Sequence, residues 1–384
     1  MGDGVRRNRR EDASIGIKRR LGKKIKTMKK KNLVVCFRQT PVDERQIKRI
    51  VTAWPDVNII NTDQKGIADA LWEADYFCGH AKVPVDWDGI VAQKRLQWVQ
   101  SSAAGMDWLL VPSVIESEII VTTASGVLAD QVSEHGLALI LAWHRNLSAF
   151  IQDQFVSAGN PDYRKFIRKP TRDLTEKKVG IVGFGGVGRR FSEVVRPFAR
   201  TIYATDLYPE NKPAHVDELW PADRLDDLLA ECDVVFLSLP LCADTRGIFS
   251  RERLARMKKG ALLANMARGP LVDADALADA IASGNLAGAI MDVTSPEPLP
   301  PNHPLWDLPQ VLITPHVGGQ VRWRFDDVCD IFCENVRRFL HDEPLINRLS
   351  PEGKRLGFPL RNGETPIWID LKSRYSTRSL DFGE

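Results

Sequence analysis

The chain has 384 residues, 43% of them hydrophobic, so it is long enough for two domains that each bury a core. Its formal net charge of +3 hides an asymmetry: residues 1–31 carry 13 Lys and Arg against 3 Asp and Glu, which leaves 40 basic against 47 acidic residues in the remainder. This mildly acidic remainder gives no electrostatic reason to expect nucleic acid, and no run approaches the ~20 apolar residues of a membrane span.

The basic segment 1–31 is predicted to be a disordered, solvated tail. A nucleic-acid-binding or targeting role is the alternative, but the segment has no apolar run for secretion, and its three acidic residues are unfavourable in a transit peptide. The six cysteines form no C-x-x-C pair and lie mostly in apolar segments, which favours reduced core residues, a cytoplasmic protein and no metal site. Cys329 and Cys333, one helical turn apart, are weak candidates for metal or redox chemistry.

From residue 32, short β-rich segments alternate with helical segments, a pattern typical of parallel sheets covered by helices. A helix is predicted at 42–54, and strands are predicted at 33–37, 57–60, 75–78, 96–100 and 119–122. The small-residue loop 101–107 follows a strand, where its N–H groups could hold a carboxylate or simply form a turn. A long helix at 128–147 is expected to cross between domains; its adjacent Glu134 and His135 point in different directions and are interpreted as structural.

Gly183, Gly185 and Gly188 have the G-x-G-x-x-G spacing between an apolar β-type run and a helix-compatible segment. In dinucleotide-binding folds these glycines permit a tight turn, close approach of a pyrophosphate, and packing of the helix on the strand. The next predicted strand ends at Asp206, 18 positions after Gly188, where a ribose-binding carboxylate is expected. The stretch therefore predicts a dinucleotide site. Asp206 favours NAD over NADP because it repels a 2′-phosphate, although an arginine nearby, such as Arg189, would weaken that preference.

Polar and charged residues follow the later predicted strands. These strands are placed at 233–240, 261–267, 286–293 and 311–316, with helices at 251–258 and 274–283 between them. Their carboxyl ends should gather the active-site candidates Asn265, Arg268, Asp292, Glu297 and His316 at one edge. After a hinge at 318–319, a helix at 321–340 is predicted to return to the first domain, and the chain from 357 onwards is interpreted as a peripheral extension.

Three of these candidates fit one reaction. The planar guanidinium of Arg268 can hold a carboxylate bidentately and polarise a neighbouring carbonyl. His316 can donate a proton to that carbonyl oxygen as hydride arrives from a nicotinamide, and Glu297 can hold the imidazole and favour its protonated form. A surface charge, a capping residue and a proline-rich loop are the alternative readings of the three residues taken singly.

These segments resemble the D-isomer-specific 2-hydroxyacid dehydrogenases across roughly residues 33–350. The matching segments are DLTEKKVGIVGFG (173–185), LPLCADTR (239–246), NMARGPLVD (265–273), DVTSPEPLPP (292–301) and HPLWDLPQVLITPH (303–316). The resemblance implies an α/β fold in which a Rossmann dinucleotide-binding domain, 125–317, is inserted in a smaller flavodoxin-like substrate domain, 32–124 and 318–350. An extension at 351–384 would follow.

The resemblance also implies an NAD-dependent oxidoreductase that interconverts 2-keto acids and D-2-hydroxy acids, usually as a homodimer built on the helix at 128–147. Arg268 would bind the substrate, Glu297 would be the partner acid, and His316 the general acid/base. Ala104 and Gly105 would offer backbone groups to the substrate carboxylate. The cofactor would be bound by Gly183, Phe184, Gly185, Gly186, Val187, Gly188, Asp206, Leu239, Pro240, Thr245, Ala267, Arg268, Asp292, His316 and Gly318.

Some positions depart from the family pattern. Leu128, Met266 and the residues after His316 differ from those common in relatives, and Arg322 and Trp323 could read a second anionic or bulky group or lie on the helix surface. Two alternative functions stay open: a dehydrogenase of another small anion such as phosphite or formate, and a nucleotide-sensing protein like the family's co-repressor branch. The intact catalytic candidates argue against the sensor. The identity of the 2-keto acid stays open.

Overall fold

The computed structural model describes residues 30–37, 39–150, 171–361 and 366–368, so nearly all of the predicted basic tail lies outside the described residues. The described chain forms two parallel β-sheets, each covered by helices. Within these ranges, no helix combines the length and apolar character needed to cross a bilayer.

The first sheet has five parallel strands in the order β2-β1-β3-β4-β5, the flavodoxin-like order. Its strands are β1 (Lys31–Cys36), β2 (Val57–Asn61), β3 (Tyr76–Gly79), β4 (Trp98–Ser101) and β5 (Ile120–Thr122). The connecting helices are α1 (Glu44–Ala53), α2 (Ile67–Leu71), α3 (Trp87–Ala92) and α4 (Pro112–Glu116). The strands β3 and β4 are buried along their whole length, which explains why they appear in the sequence as short apolar runs.

The second sheet has seven parallel strands in the order β12-β11-β10-β9-β6-β7-β8, a Rossmann arrangement whose strand order reverses between β6 and β9. Its strands are β6 (Lys178–Val182), β7 (Thr201–Asp206), β8 (Glu218–Pro221), β9 (Val234–Leu237), β10 (Ala261–Asn265), β11 (Leu286–Met291) and β12 (Val311–Ile313). Its helices are α5 (Ala129–His144), α6 (Gly186–Val195), α7 (Leu225–Glu231), α8 (Arg251–Arg256) and α9 (Ala274–Ala282). The sequence did not predict β8, which has no fully buried residue and therefore lacks the apolar run of the inner strands.

The chain crosses between the sheets twice. After β5, helix α5 packs on α6 of the second sheet. After β12, helix α10 (Arg324–Leu340) returns, and its Val328, Phe332 and Val336 are buried in one core with Leu33 and Trp98 of the first sheet. The carboxyl ends of both sheets are thereby tied together by two covalent crossings.

The described part of the C-terminal segment is built into the first domain. Helix α11 (Pro351–Leu356) places the buried Lys354 so that its Nζ donates to the carbonyl oxygen of Ser117 at the end of α4, at 2.8 Å. Trp368 is 1% exposed within the core of the first sheet. The interpretation of the chain after 357 as peripheral is therefore wrong for residues 366–368, because a tertiary contact of so short a segment leaves no periodic signal in the sequence.

Candidate active site

The three glycines of the turn after β6 have three different environments. Gly183 has φ +89°, and a Cβ there would lie 2.7 Å from the backbone nitrogen of Leu239, so only glycine fits. A Cβ on Gly188 would overlap the carbonyl oxygen of Gly183, which is why the helix can lie so close to the strand. A Cβ on Gly185 would have no atom within 4 Å. The space above Gly185 is therefore open to a ligand.

Helix α6 begins directly at this opening. Its N-cap is Gly185, which supplies no side-chain cap, so the first N–H groups of the helix are directed toward the open space. Those donors and the positive end of the helix dipole favour an anion at this place. The turn lies where the strand order of the sheet reverses, so its shape and its donors fit the pyrophosphate of a dinucleotide.

Asp206, the last residue of β7, lies beside the glycine turn. Its Oδ2 accepts a hydrogen bond from the backbone N–H of Phe184 at 2.6 Å, and its Oδ1 accepts from Tyr208 at 2.9 Å. Arg189 is also close: its guanidinium lies 4.8 Å from the centre of the Phe184 ring and donates to the carbonyl oxygen of Glu210. A carboxylate and an arginine therefore share the place where the adenosine ribose of a dinucleotide would lie.

The loop after β9 forms the opposite side of this opening. Ser238 donates its hydroxyl to the carbonyl oxygen of Gly183 at 2.7 Å, which fixes Leu239 against the turn. The hydroxyl of Thr245 donates to the carbonyl oxygen of Pro240 at 2.8 Å and so closes the loop. The cofactor-binding residues that the sequence predicted on both sides of the opening are thus neighbours in the structure. Ser238 belongs with them, although the sequence did not predict it.

The buried Asn265 fixes the backbone that carries Arg268. Asn265 ends β10 and is 0% exposed. Its side-chain amide accepts from the N–H of Ala267 at 3.0 Å and donates to the carbonyl oxygen of Arg268 at 2.9 Å. A Cβ on Gly269 would overlap the carbonyl oxygen of Thr294, so this loop also packs tightly against the segment that leads to Glu297.

The side chain of Arg268 spans the gap between the two sheets. Its Nε donates to Oδ1 of Asp107 at 3.1 Å, and its Nη2 lies against Gly105, where a Cβ would overlap it. The N–H groups of Ala104 and Gly105 donate no hydrogen bond within the described part of the chain. A guanidinium and two backbone donors therefore meet at one place, which is the arrangement that holds a carboxylate.

His316 and Glu297 form a hydrogen-bonded pair at the same edge. Nδ1 of His316 lies 2.8 Å from Oε1 of Glu297, and both side chains are 44% exposed. His316 has φ +54°, a conformation that is uncommon outside glycine and asparagine. Its N–H donates to the carbonyl oxygen of Asp292 at 2.8 Å, which holds this unusual backbone in place. The other ring nitrogen, Nε2, makes no hydrogen bond with any residue that the structure describes.

A buried carboxylate organises the loop that carries His316. Asp292 is 4% exposed; its Oδ1 accepts from the hydroxyl of Thr314 at 2.6 Å and from the N–H of Val317 at 2.9 Å, and its Oδ2 accepts from the N–H of Gly318 at 2.9 Å. Nε2 of His135 lies 3.4 Å from Oδ1 and 3.2 Å from the Thr314 hydroxyl oxygen. His135, interpreted from the sequence as structural, therefore lies beside this carboxylate, because helix α5 reaches the edge of the sheet.

His80 is another residue near the site for which sequence reasoning gave no role. It follows β3 and stacks on Trp108, with ring centroids 5.0 Å apart. Burial lowers the pKa of His80 to about 4, and the positive charges of Lys82, Arg324 and Arg268 act in the same direction against that of Asp107. Its imidazole is therefore neutral at neutral pH. Arg322 and Trp323, which the sequence offered as pocket residues, are exposed.

The cysteines show no sign of metal or redox chemistry within the described residues. No disulfide joins any of the six, all of which are described, and no group of three His, Cys, Asp or Glu among the described residues could hold a metal ion. Burial raises the pKa of the Cys329 thiol and raises that of Cys333 to about 11, which disfavours the reactive thiolate.

A Rossmann sheet with an open glycine turn, and an arginine and a histidine–carboxylate pair on the same edge, define a dehydrogenase that uses a nicotinamide dinucleotide. Comparison with known proteins narrows this class. The family model "D-isomer specific 2-hydroxyacid dehydrogenase, NAD binding domain" matches residues 137–318.

Relatives and solved structures agree with this match. A glyoxylate reductase of Thermofilum pendens is 34% identical over 270 residues, which are 69% of this chain and 78% of the relative. A D-3-phosphoglycerate dehydrogenase of Mycobacterium bovis is 31% identical over 310 residues, 80% of this chain but only 56% of that longer protein. A crystal structure of a D-isomer specific 2-hydroxyacid dehydrogenase from Xanthobacter autotrophicus Py2, in complex with NADPH and MES, has 26% identity and a TM-score of 0.68, covering 84% of this chain and 99% of that one.

The chain belongs to the D-isomer specific 2-hydroxyacid dehydrogenase family. It is an NAD(P)-dependent oxidoreductase with the two-domain α/β fold of that family. The resemblance stated from the sequence motifs is thus confirmed, as is the dinucleotide-binding domain.

Gly105→Ala tests the position of Arg268. The new methyl group would overlap the end of a flexible side chain, so Arg268 should be displaced while the fold is kept. We expect kcat/KM for a 2-keto acid to fall about 10- to 100-fold, the effect of losing a hydrogen bond to a charged group, mainly through KM. Steady-state kinetics and thermal unfolding check this. An unchanged kcat/KM in a stable variant would contradict the assigned position.

His80→Gln tests whether the low pKa of His80 makes the fold less stable in acid. Between pH 6.5, the ordinary pKa, and about pH 4, the unfolded histidine binds a proton that the folded one does not. The free energy of unfolding of the wild type should therefore fall as the pH falls through this window, with up to about 3 kcal/mol from this residue. Urea unfolding of both proteins across the window measures it: the variant should lose less stability. Parallel curves would show that His80 titrates normally.

Proposed function

We propose that the chain reduces 2-keto acids to D-2-hydroxy acids with NADH, and catalyses the reverse oxidation, in the cleft between its two sheets. The observation that carries this proposal is the contact of Arg268 with Gly105 and Asp107, because it brings a carboxylate-binding group from the second sheet to a loop of the first. The domain boundaries proposed with it are 32–124 and 318–350 for the substrate domain and 125–317 for the dinucleotide domain.

The substrate carboxylate is bound by Arg268 and by the N–H groups of Ala104 and Gly105. The planar guanidinium can donate two parallel hydrogen bonds to a carboxylate, and the loop N–H groups add donors from the opposite side. This binding fixes the neighbouring keto group relative to the edge of the second sheet. The positive charge of Arg268 also draws electron density toward the keto oxygen and makes its carbon more electrophilic.

His316 is the general acid in reduction and the general base in oxidation. Its Nδ1 is held by Glu297, so Nε2 is the atom that gives a proton to the keto oxygen. The Glu297 carboxylate orients the ring and stabilises its positive form. Asp292 and His135 act on the backbone of the same loop, since the hydrogen bonds of Asp292 to residues 314–318 keep His316 in its left-handed conformation.

The nicotinamide dinucleotide, when bound, supplies the hydride to the keto carbon. The residues proposed to hold it are those of the glycine turn, Asp206, the loop from Leu239 to Thr245, and Ala267, Asp292 and Gly318. The N–H groups of Phe184 and Tyr208 hold the Asp206 side chain beside the turn, and a carboxylate there accepts ribose hydroxyls but repels a 2′-phosphate. We therefore propose NAD as the preferred cofactor, with Arg189 permitting some use of NADP.

The chain is further proposed to act as a cytoplasmic homodimer. The homodimer is proposed from the resemblance to the family; Val132 and Leu137 of helix α5 pack against the core of the second sheet and stay partly exposed, which leaves apolar surface for a second copy. The buried thiols, which form no disulfide, support a reducing compartment.

The hydrogen-bonded pair of His316 and Glu297 bears on the two alternatives. Oxidation of formate releases no proton from the substrate anion and so needs no general base, whereas reduction of a keto group needs a general acid. A nucleotide-sensing protein needs neither. The keto acid reductase therefore uses the pair, whereas formate oxidation and nucleotide sensing give it no proton to transfer; phosphite oxidation, in which a water molecule is deprotonated, would use it too.

His316→Asn is the test of this function. Asparagine tolerates the left-handed backbone, so the fold and NADH binding should be kept while the general acid is lost. We expect turnover of 2-keto acids to fall about 10²- to 10⁴-fold. The rate is followed by nicotinamide absorbance and binding by NADH fluorescence.

The matched control is His341→Asn, which changes an exposed histidine at the C-cap of α10. It should leave both measurements unchanged. A wild type that binds NADH but turns over no 2-keto acid would overturn the proposed function. A His316→Asn variant with wild-type turnover would overturn the role of His316 alone.

A further inference from the structure

The cleft between the two sheets has more positive than negative charge. Arg268 has the carboxylate of Asp107 as its ion-pair partner. Arg324, the first residue of α10, makes no ion pair with any carboxylate in the described parts of the chain, and its Nε is buried without a hydrogen-bond partner. Lys82, after β3, is an exposed cation nearby that also acts on His80. Around His80, the carboxylate of Asp107 is thus opposed by three cationic side chains, while Glu297 at the same edge is hydrogen-bonded to His316.

These cationic side chains affect the pKa values of two groups, Arg324 and His80. The charge of Arg268 adds to burial in lowering the pKa of Arg324, and Lys82, Arg324 and Arg268 all contribute to the low pKa of His80. Such charge–charge effects act over short distances where water is largely excluded, so they are consistent with a common place for these groups. Since His80 is neutral at neutral pH, the excess positive charge belongs to the arginines and the lysine.

Two acidic residues of α10 pair with cations of another helix rather than with Arg324. Asp326 forms an ion pair with Arg45, and Asp330 forms one with Arg49, both on helix α1. Arg324 instead lines a groove of about 500 Å³ together with Gln320, Val321, Arg322 and Phe325. Its guanidinium lies 5.6 Å from the centre of the Phe325 ring. The groove therefore offers a cation and an apolar wall.

We propose that Arg324 forms a second anion-binding subsite, so that the preferred substrates are 2-keto acids with a further anionic group, a carboxylate or a phosphate ester. This proposal rests on the proposed function of the same cleft. Arg268 would hold the 2-keto carboxylate and Arg324 the second anion at the other end of the substrate. The sequence had offered Arg322 and Trp323 for such a role, but the partly buried residue is the next one along the chain.

The physical reason is charge compensation. A partly buried guanidinium whose Nε has no hydrogen-bond partner costs free energy, and an anionic ligand that reaches it recovers a charge-assisted hydrogen bond. A monocarboxylate satisfies Arg268 and leaves Arg324 as it is. A substrate with two anionic groups satisfies both, and it should therefore bind more tightly than a neutral-ended substrate of the same length.

Matched pairs of substrates test this subsite. Each pair differs only in the second anionic group: 2-oxoglutarate with 2-oxopentanoate, oxaloacetate with 2-oxobutanoate, and phosphohydroxypyruvate with hydroxypyruvate. In the wild type we expect kcat/KM to be about 10- to 100-fold higher for the doubly anionic member of at least one pair, through KM. In Arg324→Gln this ratio should fall toward one. The pair with the largest ratio distinguishes a carboxylate from a phosphate ester.

Two control variants separate a local subsite from the general charge of the cleft. Arg251→Gln removes an exposed arginine that pairs with Asp279 on the far helices of the second sheet, and Arg322→Gln removes the exposed neighbour in the groove. The substrate ratio should be retained in both variants. An equal loss of the ratio in Arg322→Gln would overturn the assignment to Arg324.

The outcomes also separate this inference from the proposed function. Turnover of monocarboxylates with a substrate ratio near one in every pair would overturn the second subsite and leave the reductase standing. No turnover of any 2-keto acid would overturn the reductase itself, and the subsite with it.

Discussion

The active site depends on one contact between the two sheets, that of Arg268 with the loop at 104–107. Neither side can bind a carboxylate fully by itself, because the guanidinium comes from the end of β10 and the backbone donors from the end of β4. The absence of a side chain at Gly105 allows the approach, and Asp107 directs it. The relative position of the two domains therefore sets the geometry of the proposed substrate site.

A second constraint is the burial of Asp292. A carboxylate that is 4% exposed must be fully hydrogen-bonded, and here its donors come from the loop that carries His316. The desolvation of one side chain thus fixes the backbone of His316, the proposed general acid. His135, from the crossing helix α5, extends this network. The helix that joins the domains therefore also contacts Asp292 and Thr314, which hold the loop that carries His316.

The sequence determined the local features well and the distant contacts poorly. The glycine spacing around Gly185 identified the dinucleotide turn because each glycine meets a local steric demand. Strand ends on a parallel sheet share an edge, so the pairing of His316 with Glu297 could be anticipated. The roles of His135, Arg324 and Trp368 could not, because each depends on a helix or segment that is packed from elsewhere in the chain, and neither periodicity nor spacing records such packing.

The central claim is that this cleft transfers a hydride between the nicotinamide and the carbon of a 2-keto acid. The most direct measurement uses NADH that carries deuterium on the transferred position of the ring, with mass spectrometry and chiral analysis of the product. The account predicts a D-2-hydroxy acid that retains the deuterium at C2. A product without deuterium, an L-configured product, or deuterated NADH that binds and is never consumed with any 2-keto acid would contradict it.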